Sequence, residues 1–353
     1  MAGGVGSRFW PMSRTAFPKQ FHDILGVGQT LIQMTFNRFL HVCPPENIYV
    51  VTNARYKDLV LKQLPQMKEE QVLCEPYMRN TAPCIAYANA VISKKNKDAR
   101  IVVAPSDHLV LKEDDFVTTI NLALDVASET PNLVTLGIKP SRPDTGYGYI
   151  QFIDDPSANH DQVKKVKTFT EKPDIEIARN FLASGDFAWN SGIFIWSLKC
   201  IDEAFAKFLP EIYKSFEGTI PSLGTPEEHD VIDEVYASCE NISIDYGIME
   251  KARNVSVVLS DFGWSDLGTW GSLYTHLDLD EHKNAAVGKD ISMYNCANNM
   301  VYNQSGKLMV LHGLNGYIVV ETDKALLVCK KDDEQKIKQF VNDIKIEKGE
   351  EHV

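Results

Sequence analysis

Short apolar runs alternate with helical patterns in the first half of the chain, and this alternation constrains the fold more than any other feature. The apolar runs are IYVVT at 48–52, RIVVA at 100–104 and LVTLG at 133–137. The helical patterns cover residues 54–64, 81–94 and 114–128. Continuous apolar strands between helices are typical of βαβ units that are buried on both faces of a sheet. The sequence therefore predicts an α/β fold with a Rossmann-like domain built on a mixed, mainly parallel sheet.

The rest of the chain has more extended character. The segments YGYIQFI, VKKVKTFTEK and SGIFIW predict mixed or antiparallel strands that are added to the sheet. The charged run DLDEHKN at 278–284 has no apolar periodicity, and we place a domain boundary there. The prediction is a larger domain over 1–277 and a small β-rich domain over 285–353 that ends in a helix at about 332–346. The strings NQSG, HGLNG and ETDK supply turn signals between its strands.

A glycine-rich turn followed by cations occupies residues 2–20, with the sequence AGGVGSRFWPMSRTAFPKQ. Its glycines are Gly3, Gly4 and Gly6, and its cations are Arg8, Arg14 and Lys19. Glycine reaches positive φ and lets backbone N–H groups approach an anion, so the segment favours polyphosphate binding over a turn that binds nothing. The string G-x-x-x-x-G-K-[ST] of a Walker loop does not occur. The spacing G-x-G-x-x-G of an NAD-dependent oxidoreductase is also broken, because Phe9 stands where the third glycine is required.

Charge and hydropathy exclude several classes of protein. The formal net charge is −12, which disfavours a nucleic-acid-binding surface and means that a bound triphosphate needs local cations and recruited Mg²⁺. No apolar run approaches the roughly 18–20 residues that span a bilayer, and no basic-then-apolar leader occurs. Seven dispersed cysteines without a CxxC pair argue against a disulfide framework or a zinc site. We therefore expect a cytoplasmic protein with no nucleic-acid partner and no membrane association.

The string GGVGSRFWPMSR…FPKQF resembles the signature of the sugar-nucleotide nucleotidyltransferases. Further strings fit segments of that family, in family order, and they are EPYMRNTAP at 75–83, APSDH at 104–108, TGYGYI at 145–150, FTEKP at 169–173, WNSGIFIW at 189–196, SIDYGIMEK at 243–251 and WSDLGTW at 264–270. Several independent matches in the expected order over residues 2–270 make the resemblance highly specific. The form FWPMSR…PKQF with RNTAP is similar to the branch that uses GTP and mannose 1-phosphate.

The resemblance implies a nucleotidyltransferase domain and one reaction, in which GTP and α-D-mannose 1-phosphate give GDP-mannose and pyrophosphate. The attacking sugar phosphate is already an anion, so the protein must position two anions and neutralise charge that grows at the α-phosphorus. Family members often end in a short left-handed β-helix, although the hexapeptide repeat is not clean here. The chain also stops before the isomerase domain of bifunctional relatives, which implies a single activity. We expect a homodimer.

The resemblance and the reaction assign residues to the nucleotide. The expected nucleotide-binding residues are Gly3, Gly4, Gly6, Ser7, Arg8, Glu75, Arg79, Asn80 and Thr81. Arg8 and Lys19 are the expected catalytic cations at the triphosphate, with Lys19 nearest the α-phosphate. Glu75 or backbone carbonyls accept from guanine, unless Glu75 is structural. Asn80 or Thr81 caps the helix that starts there.

Two carboxylates are the expected metal ligands and complete the catalytic set. Asp107 follows the strand RIVVA, at the end where open α/β sheets bind ligands, and Asp266 lies in WSDLGTW. A catalytic Mg²⁺ takes one or two carboxylates together with phosphate oxygens and water. The alternatives are a turn or helix cap for Asp107, and the cap of a helix beginning at Leu267 for Asp266.

A third group of residues is assigned to the sugar phosphate. The expected residues are Gly146, Tyr147, Gly148, Glu171, Lys172, Asn190 and Asp245. The glycines around Tyr147 imply close approach of the backbone to the sugar. Glu171 and Asn190 offer hydrogen-bond partners to sugar hydroxyls, Lys172 holds the phosphate, and Asp245 is either a sugar ligand or a structural carboxylate. Four tryptophans are expected to pack in the core, and they are Trp189, Trp196, Trp264 and Trp270.

Two rival functions remain open at this point. One is another sugar-1-phosphate nucleotidyltransferase with a different base or sugar. The other is a non-catalytic homologue that senses a nucleotide sugar. The charged residues that such a sensor can lose are all present, which favours an enzyme, and they are Arg8, Lys19, Asp107, Lys172 and Asp266.

The start of the chain departs from the family pattern. In relatives a short apolar strand precedes the glycine loop, whereas Met1 is followed here at once by Ala2 and Gly3. That strand would be central and paired on both edges, so its absence leaves ladder hydrogen bonds unmade. We therefore expect the native protein to start roughly 8–12 residues earlier, which is the length of one strand with its lead-in.

Overall fold

The computed structural model describes residues 1–156 and 159–353. Within these residues the strands are, in chain order, β1 Val50–Asn53, β2 Val72–Glu75, β3 Arg100–Val103, β4 Leu109–Val110, β5 Leu133–Ile138, β6 Tyr149–Asp154, β7 Val163–Thr170, β8 Phe187–Ser197, β9 Val255–Ser260, β10 Trp264–Ser265, β11 Ala285–Gly288, β12 Ile291–Tyr294, β13 Met300–Asn303, β14 Met309–His312, β15 Tyr317–Glu321 and β16 Leu326–Lys330. The three apolar runs of the first half coincide with β1, β3 and β5, as predicted.

The helical patterns predicted at 54–64, 81–94 and 114–128 coincide with helices of the structure, whereas the helix at 31–39 was not predicted. The α-helices are α1 Leu31–Phe39, α2 Lys57–Gln63, α3 Thr81–Lys95, α4 Glu113–Glu129, α5 Ile175–Ser184, α6 Leu198–Phe208, α7 Pro210–Thr219, α8 Glu228–Ser238, α9 Trp270–Tyr274 and α10 Ile337–Lys348. The predicted C-terminal helix is divided into a 3₁₀ helix at Lys331–Lys336 and α10. None of the helices in the described part of the chain combines the length and the apolarity that crossing a membrane requires.

These elements form two compact units. The first unit consists of Met1–Gly3, Phe36–Pro105 and Val110–Trp264, and the second unit consists of Gly4–Thr35, Ser106–Leu109 and Ser265–Val353. Most of the glycine-rich loop therefore shares a unit with the C-terminal strands. The domain boundary at 278–284 stays a prediction. The two compact units divide the chain at other positions.

The first unit is built on a six-stranded sheet with the order β3-β8-β5-β9-β7-β6. β5 and β9 are parallel, with the register Leu133↔Val255. β8 is antiparallel to β3 and β5, and β7 is antiparallel to β9 and β6, so four of the six strands run in one direction. A separate parallel pair consists of β1 and β2. The mixed, mainly parallel sheet is confirmed, and the antiparallel strands β7 and β8 come from segments that the sequence predicted to be extended.

Helices cover both faces of this sheet because side chains alternate along each strand. All of β5 is buried. Leu133 belongs to an apolar cluster with residues of α3, α6, α7 and α8, whereas Val134 belongs to a second cluster with residues of α4 and α5. A strand that is apolar on both sides is therefore required here. The predicted burial of the tryptophans is also confirmed, and they are Trp189, Trp196, Trp264 and Trp270.

The first residues of the chain hydrogen-bond to strands of the first unit. The N–H of Ala2 donates to the carbonyl of Val51 at 2.8 Å, and the hydroxyl of Thr52 donates to the carbonyl of Ala2 at 2.8 Å. The ammonium group of Met1 donates to the carbonyl of Ala104 at 2.8 Å. Residues 1 and 2 therefore make hydrogen bonds at a position where the sequence predicted that they would be unmade, and an earlier start of the native chain stays a prediction.

Parallel strands are stacked in the C-terminal part of the second unit. β13 is parallel to both β11 and β15, β12 is parallel to β14, and β16 is antiparallel to β15. Each of the three predicted turn strings starts at the last residue of a strand and leads toward the next strand of this stack. The β-rich C-terminal part is therefore confirmed.

Buried asparagine amides connect successive turns of the stack. Nδ2 of Asn299 donates to Oδ1 of Asn284 at 2.9 Å and to the carbonyl of Leu314 at 2.9 Å. Oδ1 of Asn299 accepts from the N–H of Tyr317 at 2.8 Å. Each amide therefore satisfies backbone groups that would otherwise be buried without partners.

One cluster of buried apolar side chains forms the core of the second unit. Phe9 of the glycine-rich loop, Trp270 of α9 and Ile337 of α10 are fully buried in it, together with Met300 and Ile318 of the stacked strands. The ring centroids of Phe9 and Trp270 lie 4.8 Å apart. The loop is therefore fixed by packing against residues from the end of the chain.

Gly288→Ala tests the close approach of strands in the stack. Gly288 has φ 111°, and a Cβ there would collide with the backbone oxygen of Asn303 on the neighbouring strand. We expect Gly288→Ala to lower the free energy of unfolding by about 3 kcal/mol, because strain and overpacking add. Gly306→Ala is the matched control, since Gly306 has φ 74° but no atom within 4 Å of the new Cβ, and it should cost only about 1 kcal/mol. Urea unfolding measures both, and equal losses would contradict the expectation.

Candidate active site

Lys19 lies at the centre of a polar cluster in the second unit. It begins the 3₁₀ helix Lys19–Phe21, and only 3 % of its surface is exposed. Its Nζ lies 2.9 Å from Oδ2 of Asp107 and donates to the backbone oxygens of Asp266 at 2.7 Å and Leu267 at 3.0 Å. Because an ammonium group has three N–H donors, these contacts use all of them. The structure thus brings together three of the four residues that the sequence assigns to catalysis.

The glycine-rich loop packs directly against the side chain of Lys19. Gly6 has φ 73°, and a Cβ there would lie 2.6 Å from Cβ of Lys19. The backbone N–H of Lys19 donates to the carbonyl of Val5 at 3.1 Å. Gly3 and Gly4 do not adopt positive φ. Of the three glycines for which the sequence predicted access to positive φ, Gly6 therefore adopts it.

Asp107 is held as a carboxylate by the cations around it. Burial alone would raise the pKa of Asp107, but the Lys19 ammonium and the His108 ring outweigh it and hold that pKa below its ordinary value. The carboxylate is 29 % exposed, and its Oδ1 lies 4.0 Å from Nε2 of His108. Burial is the main cause that lowers the pKa of His108, and the charge of Asp107 opposes it. An ionised, partly exposed carboxylate is suited to bind a cation.

The backbone oxygen of Asp266 accepts a hydrogen bond from Lys19, and its carboxylate accepts one from the turn that follows. Oδ1 of Asp266 accepts from the N–H of Gly268 at 3.0 Å. The next helix, α9, begins at Trp270 and is capped by Thr269. Leu267 lies outside any helix, so the alternative in which Asp266 caps a helix at Leu267 is wrong.

Arg8 is on the exposed side of the loop, in the 3₁₀ helix Ser7–Phe9. Its Nε donates to Oε1 of Gln335 at 3.1 Å. Nη1 and Nη2 of Arg8 have no protein partner within residues 1–156 and 159–353. Arg14, in contrast, lies 3.9 Å from Asp323. Arg8 therefore offers two unpaired nitrogens to a ligand, whereas the donors of Lys19 are occupied.

The carboxylates beside Lys19 are suitable ligands for a divalent cation. Asp107 touches the ammonium group through its side chain, and Asp266 touches it through its backbone. Magnesium prefers oxygen ligands and is usually held by one or two carboxylates together with phosphate oxygens. In the described part of the chain, no three or more His, Cys, Asp and Glu side chains are grouped to hold a metal on their own. This donor set therefore fits a cation that is shared with substrate phosphates.

The predicted nucleotide-side segment of the first unit uses its polar side chains within the fold. Nε of Arg79 donates to the carbonyl of Tyr236 at the end of α8, at 3.0 Å. Asn80 caps α3, because its Oδ1 accepts from the N–H of Thr81 at 3.0 Å, and this decides between the two predicted caps. The hydroxyl of Thr81 accepts from the N–H of Ile244 at 2.8 Å. The nucleotide contacts of these three residues stay predictions.

Glu75 lies at the end of β2 and is 6 % exposed. Burial raises the pKa of Glu75 to about 7, against a hydrogen bond from the Tyr236 hydroxyl that lowers it. That hydroxyl donates to Oε1 of Glu75 at 3.1 Å. A Cβ on Gly3 would lie 3.7 Å from Oε2 of Glu75. The residue therefore has a structural partner, and its contact with guanine stays a prediction.

Asn190 of β8 organises the predicted sugar-side residues of the first unit. Its Nδ2 donates to Oδ1 of Asp245 at 2.7 Å, and its backbone N–H donates to the carbonyl of Gly148 at 2.8 Å. Its Oδ1 accepts from the hydroxyl of Thr135 at 3.3 Å. Burial raises the pKa of Asp245, and the hydrogen bond from Asn190 opposes this shift. The structure thus joins three of the predicted residues in one hydrogen-bonded group.

Glu171 and Lys172 lie near the same group. A Cβ on Gly148 would collide with Oε2 of Glu171, so this glycine permits the close approach. Nζ of Lys172 lies 2.7 Å from Oε1 of Glu171, and the Lys172 side chain is mostly exposed. Glu171 also acts electrostatically on Asp245. Several carboxylate and amide oxygens together suit a ligand that is rich in hydroxyl donors.

Tyr147 and Gly146 have structural contacts. The Tyr147 ring is buried, with its centroid 4.9 Å from that of Trp189 and 5.2 Å from that of Trp264. The N–H of Gly146 donates to Oδ1 of Asp144 at 2.8 Å. Their contacts with a sugar stay predictions.

Sequence reasoning missed the residues that hold the predicted ones in place. The pairs are Tyr236 with Glu75, Thr135 with Asn190 and Gln335 with Arg8. The partners are separated by 161, 55 and 327 positions, so no local pattern connects them. The signal that was available is the polar Thr135 within the apolar run LVTLG, because a buried hydroxyl requires a partner.

The chain belongs to the nucleotidyl transferase family, which matches residues 1–283. Residues 293–344 match a second family, described as the MannoseP isomerase/GMP-like beta-helix domain. Among relatives, the mannose-1-phosphate guanylyltransferase of Salmonella montevideo is 37 % identical over 360 residues, which cover 100 % of this chain and 74 % of the relative. The alginate biosynthesis protein AlgA of Pseudomonas fluorescens is 37 % identical, with 97 % of this chain and 70 % of the relative covered.

A solved structure agrees with the family assignment. The crystal structure described as mannose-1-phosphate geranyltransferase from Thermus thermophilus has a TM-score of 0.86, 30 % identity, and 98 % of both chains covered. The family that the sequence motifs predict is therefore confirmed. The match of residues 293–344 also identifies the stacked C-terminal strands as a β-helix-like domain.

Glu75→Gln tests the buried carboxyl group through the pH dependence of stability. Because the folded pKa of about 7 lies above the ordinary value, the unfolded chain ionises first as the pH rises. Wild type should therefore lose up to about 3 kcal/mol of unfolding free energy between about pH 4.5 and pH 7.5 from this residue, and Glu75→Gln should not. Urea unfolding across that range gives the slope. The exposed Glu70→Gln is the control, and an unchanged slope in Glu75→Gln would contradict the shift.

Proposed function

We propose that the protein transfers the guanylyl group of GTP to α-D-mannose 1-phosphate and releases GDP-mannose and pyrophosphate. Relatives named mannose-1-phosphate guanylyltransferase align with the whole chain and support this reaction. The observation that carries the proposal is the cluster of Lys19, Asp107 and Asp266 against the glycine-rich loop. A non-catalytic sensor can lose such charged residues, whereas here they are kept together in one cluster.

The second unit supplies the groups that act on the triphosphate. Arg8 presents its unpaired Nη nitrogens to phosphate oxygens, which bind a guanidinium in two parallel hydrogen bonds. Lys19 neutralises Asp107 and keeps the backbone at 266–267 in place, and it reaches a phosphate only by exchanging one of its three partners. The sugar phosphate attacks as an anion, so no residue is needed as a general base.

A divalent cation completes the charge balance. Enzymes of this family generally use a divalent metal, and we infer Mg²⁺ held by Asp107 and Asp266. When bound, the cation neutralises phosphate charge. The chain's own residues orient both carboxylates, since Lys19 contacts the carboxylate of Asp107 and the Gly268 N–H donates to that of Asp266, and Lys19 also keeps Asp107 ionised.

The first unit supplies the acceptors for the sugar. Glu171, Asn190 and Asp245 form the hydroxyl-binding group, and Lys172 is assigned to the sugar's phosphate. Glycan hydroxyls are directional donors, so a fixed set of oxygens selects their stereochemistry. We further infer a homodimer in the cytoplasm that acts on small molecules and binds neither nucleic acid nor membranes.

A pyrophosphate-release assay tests the substrates. With Mg²⁺, the protein should release pyrophosphate from GTP only when mannose 1-phosphate is present, because the acceptor is the nucleophile. Pairs of GTP, ATP, UTP and dTTP with mannose 1-phosphate and glucose 1-phosphate complete the panel. Equal turnover of dTTP with glucose 1-phosphate would indicate a different sugar nucleotidyltransferase. Binding of GDP-mannose without any turnover would indicate the sensor.

The variants Asp266→Asn and Asp107→Asn distinguish the loss of a metal ligand from the loss of the ion pair that stabilises the fold. Each should lower kcat at least about 100-fold, since each removes charge from a metal-binding carboxylate. Asp107→Asn should also lower the unfolding free energy by about 2 kcal/mol, because it removes the charged partner of a buried ammonium. Asp266→Asn should retain most of its stability, since Asp266 bonds to Lys19 through its backbone. Steady-state kinetics and urea unfolding measure the two effects, and wild-type turnover in either variant contradicts its role.

A further inference from the structure

The guanidinium group of Arg8 is hydrogen-bonded to the protein at its Nε edge. Its Nε donates to Oε1 of Gln335 at 3.1 Å, from a residue 327 positions away in the C-terminal 3₁₀ helix Lys331–Lys336. Within residues 1–156 and 159–353, the terminal nitrogens Nη1 and Nη2 of Arg8 make no hydrogen bond or ion pair with the protein. A bond at Nε fixes the plane of the guanidinium and leaves the Nη edge available.

We propose that Gln335 is a positioning residue that turns the Nη edge of Arg8 toward the triphosphate. The inference rests on the proposed function, in which Arg8 binds the phosphates of GTP. It gives the C-terminal segment a part in nucleotide binding, in addition to its part in the fold.

The amide chemistry of Gln335 suits this task. A carboxylate at position 335 would also accept from Nε, but it would neutralise the guanidinium and compete with the phosphates for its charge. A neutral amide orients the group and leaves the positive charge for the ligand. Lys19 shows the opposite arrangement, since its charge is paired with Asp107.

Both partners of this exposed hydrogen bond are attached to buried residues. Phe9 follows Arg8 directly, Ile337 comes two positions after Gln335, and both are fully buried in the cluster of the second unit. The carboxylate of Glu334 accepts from the N–H of Gly271 at 2.7 Å, which fixes the 3₁₀ helix from the other side. The two backbones are therefore held at a set separation, and only the side chains need to be ordered for the bond to form.

The test compares GTP binding in Gln335→Leu, in the control Gln304→Leu and in wild type. Gln304 is an exposed glutamine of the second unit with no assigned contact of its side chain in the described residues. Gln335→Leu should raise the Kd and the KM for GTP about fivefold, the loss expected for one such hydrogen bond, and leave the KM for mannose 1-phosphate unchanged. Gln335→Glu should weaken GTP binding as well, because its charge competes for Arg8. Gln304→Leu should behave as wild type.

A double-mutant cycle with Arg8→Lys distinguishes positioning from a general structural effect. Lysine has no Nε–H fork to orient, so Gln335→Leu should cause no further loss of GTP affinity in the Arg8→Lys background. Equal losses in both backgrounds, or wild-type affinity in Gln335→Leu, would overturn the inference while the proposed function stands. A wild-type protein that neither binds nor turns over GTP would overturn both.

Discussion

A buried ammonium group must be fully paired, and Lys19 imposes this condition on the second unit. Removing a charge from water costs more than any single contact returns, so every N–H of the group needs an acceptor. The acceptors come from Asp107 and from the backbone at 266–267, which lies 247 and 248 positions beyond Lys19. The glycine-rich loop, the segment 106–109 and the residues before α9 must therefore be assembled together before Lys19 is stable in the fold. Gly6 takes part because a side chain there would displace the lysine.

Two of the three cations of the loop, Lys19 and Arg8, differ in how their charge is used. Lys19 and Asp107 cancel one another, whereas Arg8 keeps its charge at the surface. In a protein of net charge −12, one free guanidinium does not balance a triphosphate and a sugar phosphate. The proposed divalent cation would supply further positive charge, and the two aspartates beside Lys19 are its proposed oxygen ligands. The charge balance of the site therefore supports the proposal of a divalent metal, which enzymes of this family generally use.

Features that depend on neighbouring residues were predictable from the sequence, and features that depend on distant partners were not. The run LVTLG predicted β5 because a strand buried on both faces must be apolar throughout. The string RNTAP predicted a helix start, but the choice of Asn80 over Thr81 as its cap needed the structure. The pairing of Lys19 could not be read from the loop, since its acceptors lie elsewhere in the chain. Arg79 was assigned to the nucleotide, yet its Nε bonds to the end of α8, which no local pattern indicates.

The shared core of the second unit connects the β-rich C-terminal part to the glycine-rich loop, which we propose to bind phosphate. Loop amides bind an anion well only if the backbone is already fixed, because ordering it on binding would consume the interaction energy. The loop has little regular structure of its own, so its order must come from packing. Phe9 supplies that packing through Trp270 and the strands β13 and β15, and close-packed side chains transmit displacement rather than absorb it. The stacked strands therefore act on the loop largely through van der Waals contact, and their rigidity limits how far Arg8 and Lys19 can move.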